Sequence, residues 1–256
     1  DMVQLAREIC RDSFNLELQE NKDSNLVVYL DDCTYSGNRV KVELNEKYSG
    51  FKANHNTEFI FYFFAMHQQS RAYLREKIRK FMIEIGGDPG RYKIFRSITL
   101  NNTTVDGKQL DILVPRMELL EGGYNDRTHE WISHLNDLRR DNGLKEFTSC
   151  WTNASYINEE VFSDWDLRLF TEKKLLETGA DLLLRINPDP IKKGEKSIRP
   201  LGFDYSLTLG FGAMYMSYRN IANNCPLAFW LDGSKCGLSW KPLLPRKSSQ
   251  SNAWWG

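Results

Sequence analysis

Two apolar runs of strand length, LVVYL at residues 26–30 and FIFYFFAM at residues 59–66, constrain this chain more than any other feature. Both are dominated by β-branched, aromatic and aliphatic residues, and neither approaches the length of a membrane span, so each reads as a strand. The unbroken run at residues 26–30 suits a strand covered on both faces. Between the runs, residues 37–47 place Val40 and Leu44, with Tyr48 beyond, at helical spacing. After the second run, residues 67–87 repeat the pattern with Tyr73, Leu74, Ile78, Phe81, Met82 and Ile85, and Gly86-Gly87 ends it. Residues 91–100 form a further strand. Alternation of this kind lays strands parallel, because each helix carries the chain back to the sheet's starting edge. The expected fold class is therefore α/β, a Rossmann-like and mainly parallel sheet flanked by helices.

Outside that core the patterning is coarser. Met2, Leu5, Ile9 and Phe14 predict an opening helix, and Trp131, Leu135 and Leu138 predict one over residues 129–143. Residues 163–179 read as a helix closing at Gly179, followed by a short strand at 181–186. Residues 187–202 are a loop by their Pro, Gly and Lys content. Residues 206–218 and 227–231 read as two last strands.

Charge and cysteine usage exclude several function classes. Lys plus Arg and Asp plus Glu both number 34, so no overall field would draw in a nucleic acid, and any such partner needs a local patch. The basic helix RAYLREKIRK (residues 71–80) reads as a solvated face. Five scattered cysteines, with no CxxC pair, point to reduced thiols rather than a disulfide framework or a zinc site. Cytoplasmic location without membrane insertion is the expectation.

The first strand ends in Asp31-Asp32 and then turns at once through Cys33, Thr34, Tyr35, Ser36, Gly37 and Asn38. Ligands of open parallel sheets sit beyond the carboxyl ends of the strands. Two carboxylates there can accept hydrogen bonds from a vicinal diol, or hold a divalent cation. The following Ser-Gly turn at a helix start offers backbone N–H groups to a phosphate. Diol acceptors followed by a phosphate cradle fit a ribose 5-phosphate.

The stretch LVVYLDDCTYSGN resembles the phosphoribosyl-pyrophosphate motif of type I phosphoribosyltransferases. A second patch, with Leu201-Gly202-Phe203 and then Asn223-Asn224-Cys225-Pro226 through Trp230, is similar to phosphoribosyltransferase-like domains of bacterial conflict and phage-defence systems. The late KPLLPRK fits the same group. The resemblance implies a type I phosphoribosyltransferase-like sheet and a ligand that is phosphoribosyl pyrophosphate or a related nucleotide. It implies that Asp31 and Asp32 bind the ribose hydroxyls and, with the ligand, hold Mg²⁺. It assigns the 5-phosphate to Thr34, Tyr35, Ser36, Gly37 and Asn38. Tyr35 stands where members of that family carry a Thr or an acid, and Asn38 and Arg39 replace the closing Thr, so no catalytic acid or base is assigned. Residues 1–256 are expected to form a single domain lacking upstream residues of a longer protein, because the family's pyrophosphate loop lies on a strand before this motif. The rival expectation is a non-catalytic nucleotide sensor, or an interaction module with a protein or RNA partner.

Other features carry less. His129 and His134 are five apart and do not share a helix face, so they make no metal pair. Asp31-Asp32-Cys33 lacks the Asp-x-Asp of a haloacid-dehalogenase-type phosphatase. Cys33 has no base partner nearby in sequence. Arg116, Arg127 and Arg219 are single basic residues that could meet a phosphate. Trp230, Trp240, Trp254 and Trp255 read as packing residues, the last two also as a docking point for a partner chain.

Overall fold

A computed structural model describes residues 2–17, 25–47, 53, 55–68, 70–101, 111–113, 123–147, 161–186, 198–203, 208–216, 221–236 and 239–244. They group into two compact units, Asp1–Leu100 and Asn101–Gly256.

The first unit begins with helix α1 (Met2–Phe14) and continues as β1 (Leu26–Thr34), α2 (Asn38–Lys47), β2 (Glu58–His67), α3 (Ser70–Glu84) and β3 (Tyr92–Leu100). The three strands form one sheet in the order β1-β2-β3. Both pairings are parallel, with Tyr29 opposite Phe61 and Asp31 opposite Phe63, and Phe61 opposite Ile94. This is the α/β arrangement that the alternating pattern implies.

One face of the sheet carries the core. Phe59, Phe61 and Phe63, two residues apart on β2, are fully buried and pack with Tyr29, with Val40 and Leu44 of α2, and with Leu74, Ile78, Phe81 and Met82 of α3. The period of two on the strand and of three to four on the helices is what lets these faces meet. α3 stops at Gly86, whose φ of +77° is left-handed. The N–H of Gly86 reaches the carbonyl of Ile83 and that of Gly87 the carbonyl of Met82, which closes the last turn. The opposite face is different. Leu26, Val28, Phe64 and Phe95 are between 44% and 47% exposed, so β1 is not covered on both faces as its apolar run suggested. α1 is helical as expected, yet Ile9 and Phe14 of its apolar stripe stay exposed.

The second unit is built on α4 (Asp126–Asp141) and α5 (Trp165–Ile186), followed by the single turn α6 (Leu227–Trp230) and a 3₁₀ turn (Gly233–Cys236). Asn125 caps α4, its Oδ1 accepting from the N–H of Thr128 at 2.9 Å. Trp131 and Leu135 of α4 pack with Leu176, Ala180 and Leu183 of α5 and with Leu201, Leu209 and Leu227. A buried ion pair crosses this core: Arg168 donates to Glu172 at 2.9 Å and to the carbonyl of Ile112 at 3.0 Å.

Three expectations fail here. α5 does not close at Gly179, and residues 181–186 are its last turns rather than a strand. Gly179 is there for a close approach: a Cβ would lie 2.4 Å from the carbonyl oxygen of Pro200. Residues 206–218 form no strand among the described residues, only isolated bridges at Ala213 and Met216. Gly210 at φ +119° and Gly212 at φ +68° break any extended run. Residues 227–230 are a helical turn entered through Pro226, with Leu227 and Ala228 buried. A short apolar run bounded by Pro does not reveal its period.

Candidate functional site

The carboxyl end of β1 holds the residues singled out from the sequence. Parallel pairing brings Thr34 level with Met66 of β2, so the turn after β1 opens at the same end of the sheet as the turn before α3. Asp31 lies on the helix-packed side, with only 7% of its surface exposed. Its Oδ1 accepts from the N–H of Asp32 at 2.9 Å, and Asp32 Oδ1 accepts from the N–H of Cys33 at 2.9 Å. Asp31 Oδ2 is buried and has no hydrogen-bond partner among the described residues. Burial pushes the Asp31 carboxyl up to about 7; the Arg39 guanidinium pulls it down and the neighbouring Asp32 carboxylate adds to the rise. An unsatisfied buried carboxylate oxygen is costly unless something donates to it.

The turn that follows is shaped by α3. Gly37 has a φ of +76°, and a Cβ there would sit 2.7 Å from Leu74 Cγ. Only glycine both takes this backbone and clears the helix below it. Thr34 and Tyr35 are buried, so what they offer a ligand is main chain, while Ser36 is exposed. Ser36 Oγ accepts from the N–H of Asn38 at 3.3 Å, tying the turn to the first residue of α2. The helix start orients its first N–H groups outward, a general anion-favouring arrangement. The structure thus brings Asp31, Asp32, Thr34, Tyr35, Ser36, Gly37 and Asn38 into one strand–turn–helix corner.

Sequence reasoning missed a tie beside that corner. Arg39 Nε donates to Glu43 Oε1 at 2.8 Å, and Tyr29 Oη donates to Glu43 Oε2 at 2.8 Å. The i, i+4 spacing of Arg39 and Glu43 was visible as a helix pair. Nothing in the sequence joined it to Tyr29 on β1.

Among the described residues no group of three or more His, Cys, Asp or Glu is placed to hold a metal. Asp31 and Asp32 could hold a cation only together with ligand oxygens, which is the habit of Mg²⁺. Arg127 pairs with Asp181 at 3.1 Å. His129 packs edge-on against Tyr124. On the basic helix, exposed Lys80 and half-buried Lys77 both pair with exposed Glu76. Among the described residues Cys10, Cys33 and Cys225 form no disulfide. Arg116, Arg219, Trp254 and Trp255 lie outside the described residues.

The two halves of the C-terminal sequence patch meet in space. The N–H of Phe203 donates to the carbonyl of Asn223 at 2.7 Å, and Asn224 Nδ2 donates to the carbonyl of Phe203 at 2.9 Å. Gly202 (φ +103°) has no room for a Cβ, which would lie 2.4 Å from Asn224. Trp230 Nε1 donates to the carbonyl of Cys225 at 2.9 Å. The segment is a buttress in the second unit.

Residues 1–246 match the profile of the family described as PRTase-CE. The chain belongs to the PRTase-CE family. This is a phosphoribosyltransferase-type family, so the family resemblance and the α/β fold read from the sequence both stand. As a PRTase-CE protein the chain is phosphoribosyltransferase-like in function, with a ribose phosphate as the substrate class its family suggests. No curated protein and no solved structure matches it. No helix among the described residues is long and apolar enough to cross a membrane.

Proposed function

We propose that the chain binds phosphoribosyl pyrophosphate or a related nucleotide, with Mg²⁺, at the carboxyl end of β1. The observation that carries this reading is the Oδ2 of Asp31, buried and without a hydrogen-bond partner among the described residues, one residue from Asp32 and shortly before a glycine turn into a helix. A ribose hydroxyl would satisfy that oxygen, with Asp32 taking the neighbouring hydroxyl. Backbone N–H groups from Thr34 to Asn38 would take the 5-phosphate. Mg²⁺ would be held between the Asp31 and Asp32 carboxylates and the ligand's own oxygens, where it would neutralise charge on pyrophosphate.

In the enzymatic form of this reading, the bond from ribose C1 to pyrophosphate breaks and a base or other acceptor forms a bond to C1. The chain's part is to fix the sugar and screen charge as C1 becomes oxocarbenium-like, which needs no general base from the turn. Likeness to conflict-system domains supports a role as an effector in a bacterial antiphage system. The burial of Tyr35, where members carry a Thr or an acid, favours the second reading: a nucleotide-sensing or protein/RNA-interaction module that keeps the pocket without turnover.

Thermal shift of the full chain with phosphoribosyl pyrophosphate and Mg²⁺, beside an assay for released pyrophosphate, tests both. A rise in melting temperature with pyrophosphate release supports the enzyme. A rise without release selects the sensor. No shift at millimolar ligand contradicts both.

A further inference from the structure

α3 carries five basic residues against two acids, within a chain whose formal charges cancel. Those charges are sorted between its two flanks. Glu76, Lys77, Lys80 and Glu84 share one flank by helical spacing, and Glu76 pairs with Lys77 at 3.5 Å and with Lys80 at 3.0 Å. That flank is balanced. Arg71, Arg75 and Arg79 are exposed and follow one another at i, i+4 and i+8, a single row along the other flank. None of the three guanidinium groups makes a hydrogen bond or an ion pair among the described residues.

The row faces away from the β1–α2 corner. Gly37 lies against Leu74 and Tyr73, and Tyr73 falls on the balanced flank by helical spacing. The carbonyl of Arg75 instead accepts from Tyr92 Oη of β3, at 3.5 Å. The arginines therefore run along the β3 side of the helix. Like charges at i, i+4 work against a helix, so the row adds nothing to the stability of α3. Leu74, Ile78, Phe81 and Met82 anchor the helix without it. What the row does supply is positive charge at a fixed step. One guanidinium per turn, about 6 Å apart along the axis, is close to the step between neighbouring phosphates of a nucleic-acid strand. Arginine is also the residue whose planar fork takes two oxygens of one phosphate. A single row tracks a single strand, and the flank beside it on α3 is neutral.

We propose that Arg71, Arg75 and Arg79 form a docking ridge for single-stranded nucleic acid, held by its phosphates without regard to base sequence. This goes beyond the phosphoribosyl reading and names the surface that the RNA-interaction form of the second reading would use. None of the three arginines belongs to the β1–α2 corner, so the ridge and the pocket can be tested apart.

Fluorescence anisotropy of the full chain with a labelled oligouridine RNA, and with the matching oligothymidine DNA, between about 50 and 200 mM salt tests this. Wild type binds both strands alike, with a log–log salt slope of about −2, since each phosphate neutralised on a single strand contributes about −0.7. Arg71→Gln/Arg75→Gln/Arg79→Gln binds at least about 10-fold more weakly at low salt and flattens the slope, and each single substitution removes about 0.7 of it. Its melting temperature matches or exceeds that of wild type, because the row's repulsion is gone. Lys77→Gln/Lys80→Gln, which removes charges already paired with Glu76, stays within about threefold of wild type. A triple variant within twofold of wild type, an equal loss in the lysine variant, or no binding by wild type overturns the ridge. Equal binding of a polyglutamate peptide, or tighter binding of a duplex of the same length, overturns the single-strand assignment. Thermal shift with phosphoribosyl pyrophosphate and Mg²⁺ is read on the same proteins, and the triple variant keeps the wild-type shift. Strand binding without any such shift overturns the pocket and leaves the ridge standing.

Discussion

At the residue scale the account turns on Asp31. Its carboxyl is pushed from an ordinary 3.8 up to about 7 in the folded chain. The folded state therefore holds a proton that the unfolded state releases, and stability falls as pH rises from about 4 to about 7. Above that window the buried charge is a standing cost of roughly 2–4 kcal/mol, taken from a rise of about three pKa units. Asp31→Asn is expected to raise the melting temperature at pH 8 and to leave it unchanged near pH 3.5, while weakening ligand binding. Thermal melts at the two pH values check this, and an equal melting temperature at pH 8 would count against it. Gly37→Ala makes the opposite case. It places a Cβ at a left-handed φ and against Leu74, and should cost about 1–3 kcal/mol. Its unfolding midpoint measures that loss.

At the scale of elements, most of the first unit was legible because each strand and helix there shows one period over its length. Phe59, Phe61 and Phe63 point one way along β2, and Leu74, Ile78 and Met82 line α3 at turns of three to four. The acid pair and glycine turn were legible for the same reason, since chemistry and turn follow one another in sequence. What stayed hidden depends on contacts between distant residues. Gly179 reads as a stop signal until Pro200 is seen against it. Arg39 and Glu43 read as a surface pair until Tyr29 joins them. Residues 227–231 are too few to show a period at all. Gly179→Ala sharpens the point. Helix propensity favours Ala by about 1 kcal/mol, but the Cβ would meet backbone at 2.4 Å and overpacking costs about 1–3 kcal/mol. Net destabilisation is expected in a chemical melt, and a gain would mean that Pro200 yields freely. Within the same helix, Glu172→Ala removes a carboxylate partner of the buried Arg168, for an expected loss of about 3–5 kcal/mol in a chemical melt.

For the molecule as a whole, membership of the PRTase-CE family fits the ribose-phosphate role proposed for the acids and glycine turn that end the first strand. The sheet directs that turn to its carboxyl edge, α3 dictates its glycine, and burial leaves Asp31 with an oxygen that a ribose hydroxyl can fill. In the second unit, the motif residues Gly202, Phe203 and Asn224 pack and hydrogen-bond with one another, so each motif has to be judged by what its side chains touch. The central claim is that Asp31 and Asp32 grip a phosphoribosyl group. Calorimetric titration of the full chain with phosphoribosyl pyrophosphate and Mg²⁺, wild type against Asp31→Asn/Asp32→Asn, tests it most directly. The account predicts saturable binding by wild type and a loss of at least 30-fold, on the order of 2 kcal/mol, in a folded double variant. Equal binding by the two proteins, or none by wild type, would contradict it.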